Sequence, residues 1–192
     1  MDDDTYTILG CITKYKADDI RPYVESIEQT GFKGRKVMLV YDVPQETIDY
    51  LKSKGWDLFG GELQQHIILQ RFRDLYKLLG SEIKGTVIWT DVKDVIFQKD
   101  PTDWIEHNME DDILSFSECI TFKNDPWACV NAGTSFPMEW EWLQNKTSYC
   151  AGTIVGDACY LRDLFIDIYR WSMTSSNPGQ LSDQAAYNVL IN

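Results

Sequence analysis

Short apolar runs alternate with amphipathic segments along most of this chain. The apolar runs are four to seven residues long and mostly rich in β-branched residues, which is typical of buried strands. The segments between them repeat apolar residues at three- and four-residue spacing and mostly end at glycine, which predicts helices. The predicted strands cover 6–12, 36–41, 56–59, 86–90, 112–116 and 149–155. The predicted helices cover 19–30, 45–54, 72–79, 161–169 and 183–190.

Strand and helix alternate strictly through the first half of the chain, which predicts a parallel α/β sheet with right-handed crossovers. The second half is more mixed, and 117–148 is predicted to be rich in loops. No repeat, low-complexity tract or linker interrupts the 192 residues. We therefore expect one α/β domain over 1–192, with a mixed, mostly parallel sheet flanked by helices, whether alone or as part of a longer protein.

The composition of the chain limits the partners and the cellular compartment that we expect for it. The net charge is −12, from 30 acidic and 18 basic residues, so we expect no nucleic-acid partner. No apolar stretch approaches the roughly 18 residues of a membrane span, and the acidic start at 1–4 is unlike a signal peptide. The five cysteines are odd in number and form no CxxC pair, which predicts free thiols and a cytoplasmic protein.

The most informative stretch is 86–97, where a β-branched apolar run ends in two carboxylates. The run stops at Thr90, Asp91 and Asp94 follow, and apolar residues resume at 95–97. Ligands of parallel sheets bind outside the carboxyl ends of the strands, where these carboxylates would lie. Mn²⁺ or Mg²⁺ takes one or two carboxylates from protein and completes its shell with phosphate and water. The pattern therefore suggests a site for a divalent cation and a nucleoside diphosphate, and its alternative is a solvated turn.

Other nucleotide and catalytic signatures are missing from the sequence. It contains no GxGxxG after the first strand, no GxxxxGK[ST] and no GxSxG. The two histidines, His66 and His107, have no ligand spacing and are interpreted as surface or capping residues. An oxygen-only site at Asp91 and Asp94 is what remains.

Three segments in order resemble the nucleotide-sugar glycosyltransferases of the GT-A fold, nearest to small soluble bacterial or large-DNA-virus types. Residues 90–97 resemble their DxxD metal motif, and 150–156 are similar to their "NAG" strand. Residues 182–188 are similar to their "DQ" helix start. The likeness spans about 6–192, but Cys150 stands where asparagine is common, and no downstream histidine follows to complete a metal shell. The resemblance implies a metal held by the motif alone, or a chain that is one piece of a longer protein.

The resemblance also implies a role for each site residue. Asp94 would bind the metal directly, and Asp91 would help through ribose or a bound water. The acid or base would be Asp183 in an inverting enzyme, whereas Gln184 would stabilise positive charge in a retaining one. The residues expected to bind the donor, a UDP- or GDP-sugar, are Thr13, Arg71, Asp91 and Gly152. For Arg71 the alternative is a solvated arginine on an exposed helix face.

The acceptor and the alternatives are less well defined by the sequence. The acceptor would be a glycan or glycoprotein, and Trp127, Trp140 and Trp142 are candidates for a platform on which it stacks. A sugar- or nucleotide-binding module without turnover is an alternative, although such modules are typically β-sandwiches. A sugar nucleotidyltransferase is another, but 10–16 lack the glycine-rich basic loop that this class needs. The sugar, the base and the stereochemical outcome stay open.

Overall fold

The computed structural model describes residues 5–110, 112–178 and 182–192, so the acidic start at 1–4 lies outside them. Within these ranges six strands form one sheet, with the order β3-β2-β1-β4-β6-β5. The strands are β1 (Tyr6–Thr13), β2 (Arg35–Tyr41), β3 (Asp57–Gly61), β4 (Thr86–Thr90), β5 (Ile113–Thr121) and β6 (Thr147–Asp157). The helices are α1 (Ala17–Thr30), α2 (Gln45–Ser53), α3 (Ile67–Ser81), α4 (Thr102–Asn108), α5 (Pro126–Ser135), α6 (Trp140–Leu143), α7 (Ala158–Thr174) and α8 (Ser182–Ile191).

The sheet is mixed and mostly parallel, as the alternation of strand and helix predicts. Strands β1, β2, β3 and β4 run parallel to one another, whereas β6 is antiparallel to both β4 and β5. The register pairs Thr90, the last residue of β4, with Thr153 in the middle of β6. The residues that follow β4 therefore lie beside the middle of β6, although they are distant from it in sequence.

Each face of the sheet carries its own apolar core. On one face α3, α7 and α8 cover the sheet, and Phe165 packs edge-on against Phe72 and Trp89 with ring centroids 5.3 and 5.9 Å apart. On the other face Ile20 and Ile27 of α1 are fully buried against the strands. Burial of this kind supplies most of the stability of an α/β domain, because apolar area removed from water contributes roughly 25 cal/mol per Å².

The segment predicted to be rich in loops, 117–148, is more regular than expected. Strand β5 continues to Thr121, a short 3₁₀ turn follows, and α5 and α6 come before β6. Helix α5 begins where Asp125 accepts hydrogen bonds from the backbone N–H groups of Trp127 and Ala128, with Pro126 in its first turn. Helix α4 was also not predicted, because only Ile105 of its seven residues is buried and no apolar repeat marks it.

Two further expectations from the sequence concern the cysteines, predicted to be free thiols, and the lack of a membrane span. All five cysteines lie in the described residues, where each is a free thiol. Cys11, Cys129 and Cys150 are half-buried, whereas Cys119 and Cys159 are exposed. None of the helices in the described ranges combines the length and the apolar character needed to cross a membrane.

Candidate active site

A cleft of about 580 Å³ opens at the carboxyl ends of β1 and β4. This size falls within the range of about 300–1,000 Å³ that is usual for small-molecule sites. All the metal-binding, donor-binding and catalytic residues predicted from the sequence line this one cleft: Thr13, Arg71, Asp91, Asp94, Gly152, Asp183 and Gln184. They come from five separate stretches of the chain, so the fold alone brings them together. The roles assigned to them stay predictions.

Asp91 is anchored at the end of β4 by the neighbouring strand. Its backbone N–H donates to the carbonyl oxygen of Gly152 at 2.7 Å, which extends the β4–β6 ladder by one residue. A Cβ on Gly152 would lie 2.3 Å from the Oδ2 atom of Asp91, far inside contact distance. The missing side chain of Gly152 thus makes room for the Asp91 carboxylate, which is a more specific role than lining the donor site.

Arg71 of α3 lies between two carboxylates of the cleft. One guanidinium nitrogen donates to Asp91 Oδ1 at 3.1 Å and another to Asp183 Oδ2 at 2.5 Å. The side chains of Arg71 and Asp183 are only 15% and 5% exposed. Burial by itself would lower the pKa of Arg71, but the charges of Asp183 and Asp91 outweigh it and the pKa is raised. The guanidinium also lies 5.4 Å from the ring centroid of Trp89, which adds a cation–π contact.

The position of Arg71 changes its interpretation. A solvated arginine on an exposed helix face was one sequence-based reading, and the burial of its side chain rules that out. Its charge is already balanced by Asp91 and Asp183, so its first role is to hold these two carboxylates at a fixed distance. Direct contact with a donor stays a prediction, for which the unpaired, buried Nε atom of Arg71 is available.

Asp94 differs from Asp91 in being exposed on the loop after β4. Among the described residues no ion pair or hydrogen bond to its carboxylate is found, whereas one oxygen of Asp91 is held by Arg71. The described residues contain no group of three or more histidine, cysteine or acidic side chains arranged around a metal. Two carboxylates still suit Mg²⁺ or Mn²⁺, because these ions take the rest of their ligands from phosphate and water.

The opposite wall of the cleft is the start of α8, which is clamped to β6. The side chain of Asn188 accepts from the backbone N–H of Tyr149 and donates to its carbonyl oxygen, both at 2.8 Å. Asp183 is buried in the first turn of α8, and Gln184 is half-buried beside it. The expected loop before the helix extends to Gly179, which lies outside the described residues. These two hydrogen bonds of Asn188 hold α8 against β6 and therefore fix the positions of Asp183 and Gln184 in the cleft wall.

The charges that line the cleft do not suit a free diphosphate. Among the described residues that line the cleft, three carboxylates stand against the two cations Arg71 and Lys93, and Arg71 is already paired. Lys93 lies 5.6 Å from the ring centroid of Tyr15. Burial raises the pKa of Cys11 to about 12, so this thiol is neutral near pH 7 and is not a ready nucleophile. Among the described lining residues, carboxylates therefore outnumber unpaired cations, which disfavours a diphosphate without a counter-ion.

The tryptophans and histidines considered in the sequence analysis lie in different parts of the structure. Trp127, 45% exposed, lines the cleft, whereas the partly buried Trp140 packs against the core. The described lining of the cleft does not include Trp142, so the acceptor platform of three tryptophans stays a prediction. His66 is the N-terminal cap residue of α3 and His107 bonds within α4, which confirms their reading as surface or capping residues.

Tyr15 and Lys93 are cleft residues that the sequence did not single out. Lys93 lies inside the 90–97 motif, so its position between the two aspartates could have identified it as a cleft residue from the sequence. Tyr15 follows a sharp turn at Lys14, whose φ of 58° lies in the left-handed region. No pattern in the sequence marks that turn.

A comparison with solved structures is informative about the fold. The chain is similar to the crystal structure of the glycosyltransferase GlyE of Streptococcus pneumoniae TIGR4, with a TM-score of 0.62 and 16% sequence identity. The fold is glycosyltransferase-like. The match covers 97% of this chain and 43% of that one, so the chain spans less than half the length of GlyE. No family model and no curated protein matches the sequence.

Proposed function

We propose that this protein transfers a sugar from a nucleoside-diphosphate sugar to a hydroxyl group of a glycan acceptor. The observation that carries the proposal is the single cleft lined by both aspartates of the 90–97 motif and by Asp183 and Gln184. One wall offers oxygen ligands for a cation, and the other offers a carboxylate and a carboxamide at a helix start. The likeness to GlyE in fold supports the same reaction class.

A divalent cation, Mn²⁺ or Mg²⁺, belongs to this proposal because of the charges in the cleft. Asp94 carries a carboxylate that is free among the described residues, and Asp91 retains one oxygen that Arg71 does not hold. These two would hold the ion. When bound, the ion supplies Lewis-acid stabilisation for the negative charge that grows on the leaving diphosphate.

The remaining residues act on the donor and on the acceptor proton. Thr13 Oγ1 is buried in the cleft wall with no partner in the described part of the chain, as expected for a hydroxyl that pairs with a ligand. The bond from the sugar carbon to the diphosphate breaks, and a bond to the acceptor oxygen forms. In an inverting reaction Asp183 takes the acceptor proton. Since Arg71 holds Asp183 Oδ2, the proton would go to Oδ1 or follow a break of that pair.

The same ion pair favours a second candidate, a nucleotide-sugar-binding module without turnover. A carboxylate held by a buried guanidinium serves well as a structural group and less readily as a proton acceptor. Both candidates require metal-dependent donor binding, and only the transferase requires release of the nucleoside diphosphate. Measuring turnover therefore separates them.

The first experiment is a thermal-shift screen of the protein against UDP- and GDP-sugars with Mn²⁺ or with EDTA. A ligand that binds only the folded state raises the melting temperature, because it stabilises that state. At a concentration 100 times its Kd, it adds about 2.7 kcal/mol to the free energy of unfolding. We expect stabilisation by at least one nucleotide sugar with Mn²⁺ and none with EDTA. Hits are then incubated with Mn²⁺, and released nucleoside diphosphate is measured by chromatography.

Each outcome of that experiment decides between the candidates. Release of diphosphate from a stabilising donor supports the transferase, whose slow donor hydrolysis needs no acceptor. Stabilisation without release, even with a panel of glycan acceptors, supports the binding module. Equal stabilisation in EDTA, or stabilisation by sugars that lack a nucleotide, contradicts the metal-dependent donor site.

A further inference from the structure

The strand β5 departs from regular geometry next to the cleft. Its pairing with β6 shifts register between Ser115 and Ser117 and again between Ser117 and Thr121. Between them Cys119 adopts a φ of 56°, in the left-handed region that non-glycine residues seldom occupy. Irregularities of this kind re-aim side chains and cluster at functional sites. The side chain to examine is therefore that of Glu118, directly before Cys119.

The carboxylate of Glu118 is held on one side by a buried hydroxyl. Ser148 Oγ donates to Glu118 Oε2 at 2.7 Å, and Ser148 is 0% exposed on β6. A serine fixed in the sheet gives this otherwise exposed carboxylate a defined position. The fixed carboxylate in turn faces the cleft residue Gln184.

The contact between Glu118 and Gln184 determines which way the carboxamide of Gln184 points. The Nε2 atom of Gln184 lies 3.4 Å from Oε1 and 3.5 Å from Oε2 of Glu118. An ionised carboxylate only accepts hydrogen bonds, so the NH₂ end of the carboxamide must be the end that faces it. The carbonyl oxygen of Gln184 is then the end left for other partners. Without an acceptor-only neighbour, the two ends of a carboxamide can exchange places.

We propose that Glu118 is a positioning residue that keeps the carbonyl oxygen of Gln184 available to the cleft, an inference that rests on the proposed sugar transfer. The sugar carbon becomes positive as the diphosphate leaves, and a fixed carbonyl oxygen beside it stabilises that charge. An NH₂ group in the same place would oppose it. Glu118 thus acts on the reaction through Gln184 and need not touch the substrate.

The test combines turnover with a spectroscopic readout of Gln184 itself. The variants are Glu118→Gln, Gln184→Ala and the double variant, with Glu141→Gln on the exposed surface of α6 as the matched control. Glu118→Gln keeps the size of the side chain but can donate as well as accept. We expect kcat to fall about 10-fold with donor KM unchanged, less than the roughly 10²–10³-fold cost of deleting a preorganised group. In the Gln184→Ala background the Glu118→Gln change should have no further effect.

The spectroscopic readout keeps the inference testable in the absence of turnover. The side-chain NH₂ resonances of Gln184, assigned by their loss in Gln184→Ala, should move in Glu118→Gln and stay in place in Glu141→Gln. Unmoved resonances would overturn the inference, even if the protein proves to be a binding module. A Glu118→Gln effect on kcat that persists fully in the Gln184→Ala background would also overturn it. If wild type releases no diphosphate from any donor, the proposed function fails while the resonances still report on the contact.

Discussion

The two walls of the cleft hold their carboxylates in opposite ways. Asp94, on the loop after β4, is exposed and makes no ion pair among the described residues. Asp183, on α8, is 5% exposed and paired to Arg71 at 2.5 Å. Asp91 is intermediate, since its backbone is fixed by Gly152 and its side chain is 44% exposed. The cleft therefore has one wall that is free to take a ligand and one that is already internally balanced.

This difference assigns different consequences to mutations on the two walls. Changes at the balanced wall should lower the free energy of unfolding, because they leave a buried charge without its partner. Changes at the exposed Asp94 of the free wall should alter ligand binding and leave folding intact.

The largest effect is expected for Arg71→Met. Methionine matches the length of the arginine stem but leaves the buried Asp183 without its counter-ion. Removing one partner of a buried pair costs about 3–5 kcal/mol, which urea unfolding would detect. The control is Arg170→Met, which breaks an exposed pair with Asp167 and should change little. Equal, small losses for both variants would show that the Arg71 pair contributes no more than a surface pair.

An intermediate effect is expected for Asp183→Asn. Asparagine can still accept from Arg71, so the loss should be about 1.5–3 kcal/mol, the usual range for a hydrogen bond to a charged group. If Asp183 is the proton acceptor, turnover should also fall by roughly 10²–10⁴-fold while donor affinity stays near wild type. Turnover close to wild type would limit Asp183 to balancing Arg71 and would favour a retaining reaction centred on Gln184. Calorimetric titration and diphosphate release are measured on the same sample.

A smaller effect is expected for Gly152→Ala. The new Cβ would lie 2.3 Å from Asp91 Oδ2, so the carboxylate, whose Oδ1 is held by Arg71, must shift from its position. Overpacking of this kind costs about 1–3 kcal/mol, and donor binding should weaken with it. The control is Gly133→Ala in α5, where a Cβ would have an ordinary contact with Trp140 at 3.7 Å. That change should be neutral or stabilising, because alanine favours helix over glycine by about 1 kcal/mol.

Much of the free wall was predictable from the sequence. Strand β4 matches its predicted bounds, and the carboxylates after it lie at the sheet edge, as expected for a parallel α/β arrangement. These predictions depend on local patterns, namely an apolar run and the residues that end it. The same local reasoning found α8, whereas Asp183 and Gln184 at its start were singled out through the resemblance of 182–188 to a known motif.

The balanced wall was not predictable, because its contacts join residues far apart in the chain. The ion pair between Arg71 and Asp183 spans 112 positions, and no local pattern marks it. No pattern in the sequence predicts the irregularity of β5 at Cys119 either. By contrast, α5 could have been recognised, because Asp125 and Pro126 are a usual cap and first residue of a helix.

The central claim is that the free wall, through Asp94, holds a divalent cation that the donor requires. The most direct measurement is calorimetric titration of the nucleoside diphosphate with Mn²⁺ into wild type, Asp94→Asn and Asp42→Asn. Asp42 is an exposed aspartate just after β2, at the same edge of the sheet, and serves as the matched control. Asp94→Asn should leave the melting temperature unchanged and abolish Mn²⁺-dependent binding, while Asp42→Asn should bind like wild type. Unchanged Mn²⁺-dependent affinity in folded Asp94→Asn would contradict the account.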